Sequence, residues 1–262
     1  MRPIKLKISG LNSYIDEQTI DFEKLIDKGL FGIFGNTGSG KSTTLYAVLQ
    51  QISTPDRNVI TVEDPVEKQV DNINQVQVNA KAGMTFAAAL RSILRQDPDT
   101  IMIGEIRDGE TAEIAVRAAI TGHLVLSTIH TNDAASTATR LVDMGIPAYL
   151  VASSVVGLMA QRLVKILCPH CKQEVTTTEP EMELLGIKEP MKIYKACGCE
   201  ECSMTGYKGR TAIFEIIVTN QEIKELIAAG ASSDDINACA TKNGTKLLRD
   251  NVVDLVIAGK TT

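Results

Sequence analysis

The chain has 262 residues, 44% hydrophobic and 23% charged, with a formal net charge of −5. That length holds one large α/β domain or a core with a small appendage, and the balance is that of an ordinary globular protein. Aromatics are sparse (4%) and tryptophan is absent, so stacking platforms for single-stranded nucleic acid are not expected. The acidic balance argues against a broad surface for phosphate backbones, and no nucleic-acid partner is expected.

The opening MRPIKLKISG lacks the apolar run of a secretory signal. Positions 4–9 alternate Ile4, Leu6 and Ile8 with Lys5, Lys7 and Ser9, the period of a half-buried strand. A second short strand is expected at 18–22. An apolar run at 30–34 then enters a glycine-rich turn, and 43–52 has helical spacing. Strands are expected at 58–62 and 100–103 with a helix at 85–96 between them, followed by a helix at 109–121 and a strand at 123–127. Such strand–helix alternation predicts an α/β fold with a mostly parallel sheet covered on both faces. The longest uncharged stretch, 146–160, is too short to span a bilayer and reads as a buried helix; the chain reads as cytoplasmic. From Cys168 the pattern breaks into a cysteine-containing, loop-rich insertion, and helical segments are expected at 221–229 and 233–258.

The turn at 35–42 reads GNTGSGKS, which fits G-x-x-x-x-G-K-[ST] at every fixed position. Backbone N–H groups from Gly35, Asn36, Thr37, Gly38, Ser39 and Gly40 through Thr43 would turn around phosphates at the positive end of the following helix. Lys41 would reach the β- and γ-phosphates and Ser42 would ligate Mg²⁺. The ligand expected is ATP or GTP.

Two apolar strands deliver acids toward that loop. Ile101, Met102 and Ile103 lead to Gly104 and Glu105, and the strand at 58–62 leads to Glu63 and Asp64. A carboxylate at such a strand end can hold Mg²⁺ through water or orient the attacking water. His123 and His130 flank the strand at 123–127. Arg91, Arg95 and Arg107 lie in the segments around Glu105.

Cys168-Pro-His-Cys171 and Cys199-Glu-Glu-Cys202 are two C-x-x-C knuckles separated by 27 residues. Four thiolates suit a tetrahedral structural Zn²⁺ site, in a segment with little core of its own. Cys197 is an alternative ligand, His170 is read as a bystander and Cys239 as a buried thiol.

These motifs resemble the type II secretion and type IV pilus assembly ATPases over about 35–262. VITVEDPVE is similar to that family's Asp box, GMTFAAALRSILRQDPDTIMIGEIRD to its Walker B region, TGHLVLSTIHTNDA to its His box and CGCEECSMTGYKGR to its tetracysteine module. The resemblance implies a RecA-like P-loop core at 35–167, a tetracysteine zinc module at 168–210 and a C-terminal helical region at 211–262. It implies ATP hydrolysis, with Glu63 activating water, Glu105 in the Mg²⁺ shell and Asp64 supporting either. His130 would sense the γ-phosphate, His123 would be structural, and Arg95 and Arg107 would stabilise charge. A ring, a hexamer by resemblance, would act on an inner-membrane platform and cytoplasmic assembly proteins, from the cytoplasmic side of the inner membrane, in secretion or pilus extension.

Residues 1–34, MRPIKLKISGLNSY…IDFEKL…GLFGIFG, resemble instead the N-terminus of SbcC-type exonuclease ATPases. That makes an SbcC-like DNA-repair ATPase fragment one alternative and a catalytically crippled nucleotide-binding fragment another. The secretion motors carry a domain ahead of the loop whose arginines complete the site. With that domain replaced, slow turnover and weak ring assembly are expected, and both ends of the sequence read as cut.

Overall fold

A computed structural model describes residues 5–8, 18–21, 29–35 and 38–262. Strands β1 (Lys5–Ile8) and β2 (Gln18–Asp21) pair antiparallel, with Lys5 opposite Asp21, as a separate two-stranded sheet. The core then builds in chain order from β3 (Gly29–Phe34), α1 (Lys41–Ile52), β4 (Val59–Glu63), β5 (Asn74–Gln77), α2 (Phe86–Ile93), β6 (Thr100–Ile103), α3 (Gly109–Ile120) and β7 (Leu124–Ile129). Helices α4 (Ser136–Asp143) and α5 (Ala148–Ser154) precede the long strand β8 (Val155–Leu167). A small lobe follows, made of β9 (Gln173–Thr176), α6 (Glu179–Leu185) and β10 (Lys192–Lys195), with β9 and β10 antiparallel. Strand β11 (Tyr207–Val218) returns to the core, and α7 (Gln221–Ala228), α8 (Ser233–Lys242) and α9 (Leu248–Ile257) complete the chain.

The central sheet has seven strands in the order β11-β8-β3-β7-β6-β4-β5. All its pairs are parallel except β8 with β11, so the expected α/β fold with a mostly parallel sheet is what the chain forms. The strands are nearly unbroken apolar runs because both faces are covered. In β6, Ile101 and Ile103 pack into the core beneath α2, α3 and α5, while Met102 packs on the other face with Leu45, Val48 and Leu49 of α1. The strand period of two thus feeds two cores from one short sequence.

Three expectations change. The stretch 146–160 is not one buried helix: α5 ends at Ser154, and Val155 onward is strand. Two β-branched valines and Gly157 make that continuation a poor helix, and β3 offers it a pairing edge, with Phe31 opposite Gly157. The region at 211–262 opens with strand, because β11 runs to Val218 beside β8 and helix begins only at Gln221. The segment 233–258 is two helices broken at 243–247. Thr245 Oγ1 donates to Ile216 O at 3.2 Å and the Leu248 N–H to Glu215 Oε2 at 3.1 Å, so the break is fastened to β11. Among the described residues no helix is long and apolar enough to cross a membrane.

Candidate functional site

The glycine-rich turn joins β3 to α1 at the C-terminal edge of the parallel sheet. Gly35 has φ +148°, and a Cβ there would sit 2.3 Å from the Gln161 carbonyl oxygen. Gly40, at φ +83°, caps α1 in the left-handed region; both positions need glycine. Asn36 and Thr37 lie outside the described residues. Lys41 is 9% exposed and its Nζ donates to Gly35 O at 2.6 Å, so the side chain curls back over the loop. Burial lowers its pKa, and the charge of Glu105 works the other way. Among the described residues, Ser39 Oγ is buried with no hydrogen-bond partner. A buried ammonium, an unpartnered hydroxyl and a left-handed loop at a helix N-terminus form a donor set that fits polyphosphate.

Gln161 of β8, which no sequence motif marks, holds the loop from below. It is 1% exposed, its Nε2 donates to Ser39 O at 2.8 Å, and it accepts from Thr44 Oγ1 at 2.7 Å. Ser42 Oγ donates to Glu67 Oε1 at 3.3 Å. Gly38, Gly40, Lys41, Ser42 and Thr43 all line a cleft of about 790 Å³, within the ~300–1,000 Å³ usual for ligand sites.

Glu63 ends β4 inside this cleft and is 4% exposed. Its carboxylate accepts from Thr61 Oγ1 at 2.5 Å, from Gln75 Nε2 at 3.1 Å and from the Tyr46 hydroxyl. Glu105, just beyond β6, is paired with Arg107 and lies 3.4 Å from His130 Nε2. The hydrogen bond from Arg107 holds its carboxyl below the usual range against the opposing effect of burial. His130 Nδ1 is 3.4 Å from Lys41 Nζ, so the imidazole stands between the loop lysine and Glu105. Arg107 also lies 3.8 Å from Asp64 Oδ2.

Lys41, Glu63, Glu105, Arg107 and His130 therefore meet in one cleft. Arg95 is placed elsewhere: it follows α2, its guanidinium lies 3.5 Å from Ser92 Oγ, and it is not among the cleft-lining residues. Arg91 pairs with Glu110 at 2.6 Å on an exposed surface. His123 Nδ1 lies 2.9 Å from Ala118 O, a local structural contact. Tyr46, Phe86, Leu163 and Arg210 also line the cleft, and none is among the site residues expected from the sequence. Tyr46 carried one signal, a polar tip within the apolar run of α1. Arg210 carried none, because β11 reaches the cleft only through its pairing with β8.

Cys168, Cys171, Cys199 and Cys202 form the second cluster, with all four sulfurs within 4.8 Å of one another. Cys168–Cys199 and Cys171–Cys202 are 3.8 Å apart and Cys199–Cys202 is 3.7 Å. A tetrahedron with metal–sulfur bonds of ~2.3 Å has edges of about 3.8 Å, so the donor set fits a four-thiolate ion. Burial pushes the Cys202 thiol up, but N–H donors from Cys199 and Gly206 outweigh it and bring it down to about 6. Cys197 is exposed and Cys239 is buried; neither joins the cluster, and nor does His170.

A family profile described as "Type II/IV secretion system protein" matches residues 2–262, and so runs through the opening strands as well as the loop. The chain is 49% identical over 247 residues to the type IV pilus assembly ATPase PilB of Thermus thermophilus, covering 92% of this chain and 28% of that protein. It is 50% identical over 236 residues to type II secretion system protein E of Pseudomonas aeruginosa, covering 89% of this chain and 47% of that one. The chain spans about half or less of the curated relatives it matches. Among solved structures, the pilus retraction motor PilT with bound ADP superposes with a TM-score of 0.66 at 29% identity, over 90% of this chain and 59% of that one. The ATPase DotB of Legionella pneumophila gives 0.64 at 25% identity, over 91% and 59%.

Proposed function

The chain belongs to the type II/IV secretion system protein family, and from that premise we propose that it is the ATP-hydrolysing part of a motor subunit for type II secretion or type IV pilus assembly. The observation that carries this reading is the meeting, in one cleft, of the loop lysine Lys41 with Glu63 and Glu105 from two neighbouring parallel strands. The 49% identity to a pilus assembly ATPase and 50% to a secretion protein support both branches equally.

Lys41 and the loop N–H groups bind the β- and γ-phosphates, with Lys41 released from Gly35 O as the phosphates take its place. Ser42 and Glu105 are the groups that would hold Mg²⁺, which when bound neutralises phosphate charge. Glu63 accepts the proton of the attacking water or orients it. His130, placed between Lys41 and Glu105, reads whether the γ-phosphate is present. Arg107 counters charge once phosphate draws it from Glu105. A structural Zn²⁺ on the four cysteines is supported by their spacing and stabilises the small lobe. A hexameric ring of copies would act on an inner-membrane platform and its cytoplasmic assembly proteins, without a membrane-crossing helix among the described residues.

The test is phosphate release from Mg-ATP by the purified chain and by Lys41→Ala. Turnover in the parent that disappears in the variant supports the reading; equal phosphate release from both, or none from the parent, overturns it.

A further inference from the structure

The acid that ends β4 is held by a residue outside every phosphate-loop, Asp-box, Walker B and His-box motif. Tyr46 lies on α1 four residues beyond Ser42 and is 6% exposed. Its oxygen accepts the N–H of Glu67 at 3.1 Å and of Lys68 at 3.3 Å. A phenol has one proton and two acceptor sites. With both acceptor sites taken by backbone N–H groups, the hydroxyl proton has one direction left, toward Glu63 Oε2. The other carboxylate oxygen receives Thr61 and Gln75, so donors fix the carboxylate plane from both ends.

We propose that Tyr46 is a positioning residue for ATP hydrolysis, aiming the Glu63 carboxylate at the γ-phosphate site from the helix that carries Lys41 and Ser42. This rests on the reading of the chain as an ATPase with Glu63 as the water-activating acid. Tyr46 joins three things that must keep register during turnover: the phosphate-loop helix, the acid, and the 64–68 segment whose Glu67 also accepts from Ser42 Oγ. Burial, aided by the bond to Glu63, pushes the phenol up to about 12, so the donor stays protonated through the range in which the chain would work. A misplacement of about an ångström in a catalytic group can slow chemistry about a hundredfold.

Tyr46→Phe keeps the ring and removes the hydroxyl. The measurement is kcat and KM for Mg-ATP, with ADP affinity measured separately, in the parent, Tyr46→Phe, Glu63→Gln and the double variant. Expected is a fall in kcat of about tenfold or more, the size of a lost hydrogen bond to a charged group, with KM and ADP affinity within about twofold. In the Glu63→Gln background the same substitution should cost less than about twofold, because Tyr46 acts through the carboxylate. An unchanged kcat, a parallel loss of kcat and nucleotide affinity, or an equal fall in both backgrounds overturns the assignment. Parent-level turnover in Glu63→Gln overturns the role of Glu63 and this inference with it, and absence of turnover in the parent overturns the ATPase reading itself.

Discussion

Lys41 is a charged group stored at a cost: it is nearly buried, its pKa is lowered by burial, and its nearest oxygen is a backbone carbonyl at 2.6 Å. A triphosphate supplies the countercharge that the loop lacks. Lys41→Ala should therefore weaken Mg-ATP binding by about a hundredfold or more, read by titration with a fluorescent nucleotide. Equal affinity for both proteins would remove the lysine from the site. Glu105 invites a different measurement. Arg107 holds its pKa below the ordinary value, so the stability it adds is present above the unfolded pKa and is lost as pH falls through the folded one. Arg107→Ala should lose less melting temperature than the parent between about pH 5 and pH 3; parallel acid profiles would contradict this. Residues of this kind were legible in the sequence because each stands inside a short motif at a strand end. Gln161 and Arg210 were not, because each acquires its role only when β8 or β11 is brought to the loop by pairing across more than a hundred residues. Tyr46 shows a polar tip in α1 but not its partner, which depends on β4 packing against that helix. No local spacing encodes such contacts.

At the scale of elements, the periodic parts read correctly and the strand-to-lobe junctions did not. Helices α1, α2 and α3 and strands β4, β6 and β7 carry either a 3.6-residue stripe or an apolar run bounded by turn residues. Strand β8 begins inside an uncharged run whose first half is helix, so its change of state lies in two valines and a glycine and not in any change of polarity. Strand β11 is almost wholly apolar at 211–218 and can be told from a buried helix only by its partner. These two strands also lead out of the sheet into the cysteine knuckles: Cys168 follows β8, and the Cys168 N–H donates to Gly206 O at 2.9 Å just before β11. The lobe between them has few buried apolar side chains, Ile193 among them, so an ion on the proposed four-thiolate site would supply what packing does not. Protein prepared without chelator should contain about one zinc per chain by elemental analysis. Replacing Cys168 and Cys199 by serine should abolish that zinc and lower the melting temperature by several degrees. Metal-free protein whose melting is unmoved by added zinc would reduce the cluster to four thiols.

Across the whole molecule, two of the cleft's cations already face groups of the chain itself, and Arg210 lines the cleft beside them. Arg107 serves Glu105 and Asp64, and Lys41 serves the loop carbonyl and faces His130. His130 and Arg107 are also more than half exposed, at 52% and 58% of their side chains, so the end of the cleft proposed for the γ-phosphate opens to solvent. A hydrolytic transition state spreads negative charge over that phosphate, and a cation reaching it from outside is worth ~10³–10⁵ in rate in P-loop enzymes that use one. On the proposed reading of the chain as a ring-forming ATPase, a second copy set against the open end is expected to bring such a cation and to exclude water together. Turnover per chain should therefore rise with chain concentration, by about tenfold or more across the range in which copies associate, while nucleotide affinity, set by the loop of each copy, should stay constant. Phosphate release measured over a hundredfold range of protein concentration, beside sedimentation at the same concentrations, reads both quantities. A rate per chain that is flat while the sedimenting mass grows would mean that each cleft is complete in itself, and that assembly serves force transmission and not chemistry.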